Sequence, residues 1–426
     1  MKFSFFILAF LSSIFLNAKP LITSDVLSYY QPNKTINLQT QEVEFWQNRL
    51  LQQYENPSFH YKLAQAYSAL FDVRRRITDL RKAETHLRKS LQFSAKISSA
   101  LLRDLAHNLT TQHRFCDALT FLEEAYSLGG DLHLTKMKLF DVYLELGEDA
   151  LAFEMLQQLR GEKIQYKIRL AKWEDKQGRL SNAIACLESA LEDAKYLNDE
   201  FMLKWLYSNL GDFYGHAGRL SDSRDAYVTA LKYNNADWYA LKGLAWIAYS
   251  GEYNLELAQS IVRLLNDHCE SPTIDIFNLE LKEYMDKPNF ELALSVYEEV
   301  SNITYGEMYN SFKVDYLLET GDIDNALKIA TLELEGRATP QTYAQYAKTL
   351  VQKGQDKKAL EVYTSEIKNK TFEPGVFLDM IEVTQSSKSD YTFLISELKD
   401  SFYELGPVEF RLVEEAIQNI KLQITD

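Results

Sequence analysis

The stretch KWLYSNLGDFYGHAGRLSDSRDAYVTALKYNNAD, residues 204–237, decides the fold of this 426-residue chain. Leu210, Gly211 and Tyr214 are spaced so that all three share one face of a helix, since residues one, three and four apart lie on one side. Gly218 follows as a residue that ends a helix. The first half of the stretch therefore predicts one amphipathic helix closed by a glycine turn.

The second half of the stretch repeats this spacing on a second helix. Ser221 or Asp222 is expected to cap that helix at its start, because both side chains accept hydrogen bonds from free backbone N–H groups. Ser223, Tyr227 and Ala230 then share one helical face. The small residues on the two helices let them approach closely, while the tyrosines fill the space beside them.

The same pattern recurs along the chain at a nearly constant step. The positions that correspond to Gly211 in other copies are Ala106, Phe140, Ala171, Ala245, Leu281, Val314 and Ala347. With Gly211 included, their successive steps are 34, 31, 40, 34, 36, 33 and 33 residues. A random amphipathic bundle would not hold this period, so the sequence predicts a stack of paired helices.

This alternation of small and large residues resembles the tetratricopeptide repeat. The resemblance covers about residues 56–370, as roughly nine degenerate units. It implies an all-α fold, a right-handed α-solenoid of antiparallel helix pairs whose first helices line a concave surface. A longer loop in the first unit holds the one local basic run, Arg74, Arg75 and Arg76.

Both ends of the chain depart from the repeat. Residues 19–55 are predicted to form an extended lead-in, 19–40, and an amphipathic capping helix, 41–54. Residues 371–426 are predicted to form a C-terminal helical cap of three segments, broken near 386–389 and at 406–407. Terminal units of a solenoid differ from the rest because an exposed repeat face would otherwise stay wet.

Residues 1–18 have the pattern of a signal peptide. Lys2 precedes an apolar run, Phe3–Leu16, which is too short to span a bilayer comfortably. Cleavage after Ala18 fits the pattern, and an uncleaved anchor is the alternative because Leu16 stands where a small residue is preferred. We therefore expect an exported protein of the bacterial envelope, periplasmic or extracellular.

Composition and motifs argue against several functions. The net charge of −15 disfavours generic nucleic-acid binding, which needs a basic surface. Cys116, Cys186 and Cys269 have no paired spacing, and no two of the seven histidines are four residues apart. No phosphate loop, nucleophile elbow or metalloprotease motif occurs. We expect a protein that is not an enzyme and that has no cofactor and no metal.

The aromatic stretch from 205 to 249 is the candidate binding site. Its residues point away from the partner helix on two successive first helices, and those we assign to a concave groove are Trp205, Asp212, His216, Tyr239, Lys242, Trp246 and Tyr249. Trp and Tyr anchor binding sites because they bury a large area at low entropy cost. The alternative is that the rings pack against the neighbouring unit as core.

The sequence thus favours a non-catalytic scaffold outside the cytoplasm, binding a peptide or protein on its concave surface. A glycan-binding envelope protein is the second hypothesis, since an aromatic wall stacks on sugars as readily as on peptides. An enzyme built on unrecognised residues and a self-assembling structural element are further alternatives. The repeat itself does not choose among them, because solenoids carry unrelated partners on one frame.

Overall fold

The structure is a computed structural model that describes residues 20–161 and 163–425, with side chains up to residue 420. The predicted signal peptide, 1–18, lies outside the described residues. All regular secondary structure in the described part of the chain is helical. The all-α solenoid is therefore confirmed.

Paired helices make up most of the described chain. We number the successive antiparallel pairs between 57 and 367 as units one to nine: Pro57–Arg74 with Ile77–Phe93, Ser99–Thr111 with Phe115–Leu128, Leu132–Leu146 with Asp149–Gln158, Lys163–Lys176 with Leu180–Leu197, Glu200–His216 with Leu220–Tyr233, Trp238–Trp246 with Leu255–Asn266, Pro272–Tyr284 with Phe290–Val300, Asn310–Glu319 with Ile323–Gly336, and Pro340–Gln352 with Asp356–Val362. Two π turns extend this set, Ile247–Gly251 in unit six and Tyr363–Ile367 in unit nine.

The repeat positions form the core of these pairs. All seven residues that correspond to Gly211 lie in first helices and are at most 1% exposed. The small residues of the second helices, among them Ala118, Ala183 and Ala326, are fully buried as well. The positions that recur with the sequence period are therefore the side chains packed between the helices of each pair.

The packing in unit five shows why the small residues are needed. A Cβ on Gly211 would lie 2.4 Å from Cε1 of the Tyr227 ring, and one on Gly243 would lie 2.3 Å from its Cζ. The ring is thus sandwiched between two glycines of neighbouring first helices. Ser223 Oγ donates a hydrogen bond to the carbonyl oxygen of Gly211 at 2.6 Å, which ties the two helices of the pair together.

The turn within unit five differs from the prediction at its cap. Gly218 has φ +71°, as a glycine that ends a helix commonly does. The second helix begins at Leu220 with Arg219 before it, so the predicted caps Ser221 and Asp222 are wrong. Asp222 lies inside the first turn, where the positive end of the helix dipole stabilises its negative charge. Its Oδ2 accepts a hydrogen bond from Arg219 Nε at 2.7 Å.

The capping helix at the N-terminus is longer than predicted. It spans Asn33–Gln52 and so begins at 33 rather than at 41. Its buried residues Val43 and Leu50 pack in one cluster with Leu63 and Leu70 of unit one. This helix shields the first face of the solenoid from water.

The lead-in before this helix is docked and not simply extended. Ser24–Tyr29 forms a 3-10 helix, and its neighbourhood packs against units five and six. Ile22, Val26 and Tyr30 of this lead-in are buried in that core. The Gln31 N–H donates to the Asn235 carbonyl at 2.7 Å and closes this contact.

The chain after unit nine contains three more helices, Pro374–Ser386, Thr392–Leu398 and Phe402–Thr425. The last one is interrupted at Gly406, whose φ of +77° and ψ of 167° are not helical. We call residues 402–410 the C-terminal segment. It lies against units five to seven, and its Leu405 also packs in one cluster with residues of unit nine and of the two helices that precede it.

Units that are far apart in sequence touch one another. The Glu270 N–H donates to the Arg74 carbonyl at 2.7 Å, and Arg76 Nε donates to the Glu270 carboxylate at 2.6 Å. Further along, Cys116 Sγ donates to the Gly336 carbonyl at 3.2 Å. The solenoid therefore winds tightly enough for its early units to rest on its later ones.

None of the helices in the described part of the chain is both long enough and apolar enough to pass through a bilayer.

Gly211→Ala is expected to destabilise the protein by about 1–3 kcal/mol, because the added methyl group overlaps the Tyr227 ring and forces the two helices apart. Urea unfolding followed by circular dichroism measures the change. Gly336→Ala is the matched control, since a Cβ there meets no atom within 4 Å. Equal stability of the two variants would contradict the close-packing account.

Candidate functional site on the concave surface

The predicted groove residues lie on the first helix of unit five and on the first helix and π turn of unit six. We call them the concave wall: Trp205, Asp212, His216, Tyr239, Lys242, Trp246 and Tyr249. The structure places them in four groups that differ in exposure and in partners.

Asp212 is the polar centre of the wall. Its Oδ1 accepts a hydrogen bond from the Tyr227 hydroxyl at 2.5 Å, and its Oδ2 accepts one from the Tyr239 hydroxyl at 2.9 Å. Lys242 Nζ lies 5.4 Å from the centroid of the Tyr239 ring, as in a cation–π contact. Asp212, Tyr239 and Lys242 are thus brought together as the sequence predicted for neighbours on one wall.

Burial shifts the pKa values of Asp212 and Lys242 in this group. It raises the pKa of Asp212, although the two tyrosine hydroxyls and the charges of His216 and Lys242 oppose the rise. It lowers the pKa of Lys242, which the Asp212 and Glu280 carboxylates partly offset. The centre of the wall therefore holds poorly solvated charges of both signs.

Trp205 lies at one edge of the wall beside an open cavity of about 380 Å³. Phe201, Trp238 and Tyr239 line the same cavity, with Lys204 among them. Trp238 and Tyr239 meet edge to face with their centroids 5.8 Å apart. This edge of the wall offers aromatic surface to a ligand.

Tyr249 is core and does not line an open groove. It is fully buried, with its ring centroid 5.9 Å from that of Phe277 and 5.7 Å from that of Tyr284. The π turn Ile247–Gly251 rotates this part of the helix away from regular 3.6-residue periodicity, on which the groove assignment depended. The core alternative is therefore the correct description of Tyr249.

The C-terminal segment covers the far end of the wall. Trp246 Nε1 donates a hydrogen bond to the Tyr403 carbonyl oxygen at 2.9 Å, and Ser250 Oγ donates to the same oxygen at 3.0 Å. The Tyr403 ring lies over Gly215, where a Cβ would meet its Cε1 at 2.5 Å. Trp246 therefore faces the concave side, but its indole N–H already has a partner.

His216 lies at the exposed margin of the same contact. Its Nδ1 is 3.8 Å from Oε2 of Glu404 in the C-terminal segment, and its side chain is 43% exposed. Burial raises the pKa of Glu404, and the charge of His216 opposes that rise. The pair is a loose ion pair at the rim and contributes little by itself.

Gly406 makes a second close contact between the C-terminal segment and the wall. A Cβ at this position would lie 2.8 Å from Glu280 Oε1 and 2.9 Å from Cη2 of Trp246. Its positive φ also disfavours any residue with a side chain. The sequence identified Gly406 only as a helix break, because nothing local shows that a distant tryptophan lies against it.

Glu280, in unit seven, is a buried carboxyl group that the sequence did not single out. Burial and then the negative charge of Glu409 raise its pKa from the ordinary 4.5 to about 8. Glu280 Oε1 and the Tyr249 hydroxyl both lack a hydrogen-bond partner of normal geometry among the described residues. Docking of the C-terminal segment thus encloses a carboxyl group that is stable there when protonated.

The arrangement is suited to binding a peptide. Trp246 and Ser250 donate hydrogen bonds to one backbone carbonyl, and Gly215 leaves room for an aromatic ring. His216 lies beside a carboxylate at the exposed margin. No group of three or more His, Cys, Asp or Glu side chains suited to a metal ion occurs in residues 20–161 and 163–420. Tyr403, Glu404 and Gly406 complete the site, although they are more than 150 residues from the wall in sequence.

Gly406→Ala is expected to release the C-terminal segment, because a methyl group at this position overlaps Trp246 and strains the backbone. Hydrogen–deuterium exchange of residues 402–420 should accelerate by about tenfold or more, which corresponds to about 1.4 kcal/mol. Gly375→Ala is the control, since a Cβ there meets no atom within 4 Å. Unchanged protection in Gly406→Ala would show that the contact does not hold the segment.

Docking of the C-terminal segment should weaken as the pH rises. The docked-state pKa of Glu280 lies above its ordinary value, so its stabilising effect is complete below about pH 4.5 and is lost as the pH passes through about 8. We expect exchange of residues 402–420, corrected for the intrinsic rate, to rise about tenfold or more between pH 5 and pH 8.5.

Glu280→Gln should reduce this pH dependence, because the amide stays neutral throughout. The raised pKa of Glu409, about 7, accounts for a remaining dependence of the same sign. Glu335→Gln, at an exposed position in the second helix of unit eight, is the control and should leave the dependence unchanged. A pH profile that is the same in Glu280→Gln as in the unchanged protein would show that another group controls docking.

No protein-family model matches the chain. The comparison with curated proteins gave no match either. Among solved structures, the chain is similar to the human IFIT1 dimer with PPP-AAAA at 15% identity, covering 73% of this chain and 72% of that one with a TM-score of 0.46. Yeast Tom70 is similar at 14% identity, over 93% and 96% of the two chains, with a TM-score of 0.37.

The APC/C hetero-tetramer Cut9–Hcn1 is similar at 13% identity, over 96% of this chain and 98% of that one, with a TM-score of 0.34. At such identities a likeness concerns the fold alone. The helix pairs, their step of 31 to 40 residues and the buried small residues between them are observed directly in this chain. By fold, the chain is a helical repeat protein of the tetratricopeptide type.

Proposed function

We propose that this protein is a non-catalytic interaction scaffold that binds a protein or peptide partner on its concave wall. The observation that carries the proposal is the contact in which Trp246 and Ser250 both donate hydrogen bonds to the Tyr403 carbonyl. The wall already holds a peptide segment, which belongs to the chain itself. A partner segment with the same features would use the same contacts once the C-terminal segment leaves.

The chemistry of the wall defines the partner segment. An aromatic side chain would replace the Tyr403 ring over Gly215, and a backbone carbonyl would accept from Trp246 and Ser250. An acidic side chain near His216 would occupy the place of Glu404. Aromatic anchors in such pockets supply much of the energy of peptide recognition.

Charge supports a protein partner over a nucleic acid. The chain carries 61 acidic and 46 basic residues, and the concave wall contains Asp212 beside its one lysine. Polyanion binding requires a basic surface to release counterions. The PPP-AAAA ligand is part of the human IFIT1 structure.

We also propose that the scaffold acts outside the cytoplasm, in the periplasm or at the surface of a bacterial cell. The support is the sequence of residues 1–18, with one lysine followed by a short apolar run that ends before Ala18. A partner in the cell envelope would then meet the concave wall.

A glycan ligand is the second candidate. Trp205, Trp238 and Tyr239 surround an open cavity of about 380 Å³ whose rings are free to stack on a sugar. A titration with envelope polysaccharide separates the two candidates, because a glycan would engage this cavity and a peptide would engage Trp246.

A peptide of residues 401–410 should bind in trans to the Gly406→Ala variant, whose own segment is displaced. Adding Trp246→Ala should weaken this binding by about tenfold or more, because the indole N–H and its ring contact are both lost. Fluorescence polarisation with a labelled peptide gives the two affinities. Trp46→Ala in the same background is the control, since Trp46 packs on Phe59 in the capping region.

Equal peptide affinity with and without Trp246 would contradict a binding role for the wall. Crosslinking from position 242 in whole cells, read by mass spectrometry, then identifies the natural occupant. The crosslinked partner should increase in Gly406→Ala, because the wall is open in that variant.

A further inference from the structure

The three consecutive arginines after the first helix of unit one have different surroundings. Arg74 Nε donates to Asp79 Oδ2 at 2.7 Å within its own unit. Arg76 Nε donates to the Glu270 carboxylate at 2.6 Å and joins unit one to the loop after unit six. Two of the three charges are thus neutralised in structural contacts.

Arg75 has no such contact. Its closest carboxylate among the described residues is Asp72, with Nη1 and Oδ1 3.9 Å apart, which is too long for a hydrogen bond. The Asp72 side chain is 75% exposed to solvent, whereas that of Arg75 is 22% exposed. The Arg75 side chain is therefore partly buried, with Asp72 at ion-pair distance and no hydrogen-bonded carboxylate among the described residues.

The backbone directs Arg75 into the interior. It has φ +56°, the left-handed conformation that ends the helix, while the carbonyl before it is held by the Glu270 N–H. Its Cζ lies 4.1 Å from the ring centroid of Phe71 and 5.0 Å from that of Trp238. Two aromatic rings from units one and six thus hold the guanidinium in place.

Arg75 lines a cavity of about 240 Å³ between unit one and units six to eight. Ile77 and Met308 contribute apolar surface, and Ser271 and Thr273 contribute hydroxyl groups at the start of the first helix of unit seven. Among the described residues, the lining contains no carboxylate. The cavity thus combines the Arg75 cation, the His113 imidazole, a few hydroxyl groups and aromatic walls. The Thr273 hydroxyl lies 3.2 Å from the Tyr309 hydroxyl and keeps a second hydrogen-bonding position for a ligand.

The electrostatics favour an anion in this space. Burial lowers the pKa of Arg75, which means that its charge is poorly solvated where it lies. A partly buried cation is less well solvated than one in open water, and an anion that hydrogen-bonds to it recovers part of that loss. The planar guanidinium presents paired N–H groups that match the two oxygens of a carboxylate.

We propose that this cavity binds an organic carboxylate with a flat apolar body. The carboxylate pairs with Arg75 and the Ser271 and Thr273 hydroxyls, and the apolar body lies between Trp238, Ile77 and Met308. Arg75 supplies a single positive charge, and the negative charge of Asp72 lies nearby. The cavity therefore favours a ligand with one negative charge over a phosphate dianion. The site shares no residue with the concave wall, so it stands independently of the proposed function.

Titration of the full chain with phenylacetate, followed by calorimetry, tests the proposal. We expect saturable binding at one site that falls by about tenfold or more in Arg75→Gln, because the charge pair is lost. Arg49→Gln, at an exposed position of the capping helix, is the control and should bind within about twofold of the unchanged protein. Circular dichroism melting shows whether each variant is folded.

Thr273→Val provides a second variant that keeps the shape of the site and the charge of Arg75. It should weaken phenylacetate binding by about threefold or more, because one hydrogen bond is removed. If Arg75→Gln does not fold, this variant decides the matter. Absence of saturable binding, or equal binding by Thr273→Val and the unchanged protein in that case, overturns the proposal.

Two further probes identify the source of the carboxylate. The peptide Gly-Gly-Phe with a free C-terminus and the same peptide as its amide differ only in that group. Binding of the free peptide but not the amide indicates a polypeptide C-terminus, and binding of phenylacetate alone indicates a small acid. Inorganic phosphate that binds as tightly as phenylacetate, or phenylacetate binding that survives Arg75→Gln, contradicts the assignment.

Discussion

The Tyr227 ring is held between Gly211 and Gly243, and this contact determines how units five and six stack. Neither glycine position has room for a Cβ, so the two first helices approach to the thickness of one aromatic ring. The hydroxyl of the same ring reaches Asp212 at 2.5 Å. One packing contact therefore both joins the units and positions the polar centre of the concave wall.

Units five and six contact both the lead-in and the C-terminal segment. The lead-in buries Ile22, Val26 and Tyr30 in their core, and the C-terminal segment lies across the concave wall. These central units thus gain contacts that a simple stack of repeats would not have. In the proposed function, a partner reaches the concave wall only after the C-terminal segment leaves it. The buried Glu280 carboxyl bears on this step, because its ionisation weakens the docking of the segment.

Helical periodicity was sufficient to predict the paired helices, the turn glycines and the closeness of Asp212, Tyr239 and Lys242. It failed at Tyr249, where a π turn breaks the regular period and the ring enters the core. It also gave no indication of Gly406, because the partner of that residue, Trp246, lies in another part of the chain. Prediction from spacing is reliable only where neighbours in space are neighbours in sequence.

The sequence by itself determined the helix pairs, their period and their buried small residues, because these depend on side-chain spacings within a few turns of helix. Only the tertiary structure decided which part of the concave wall is covered by the C-terminal segment, and that Arg75 alone of the three arginines has no hydrogen-bonded carboxylate among the described residues. Those outcomes depend on the rotation between successive units, which accumulates along the solenoid and brings distant units into contact. The spacing of residues within one unit does not specify this accumulated rotation.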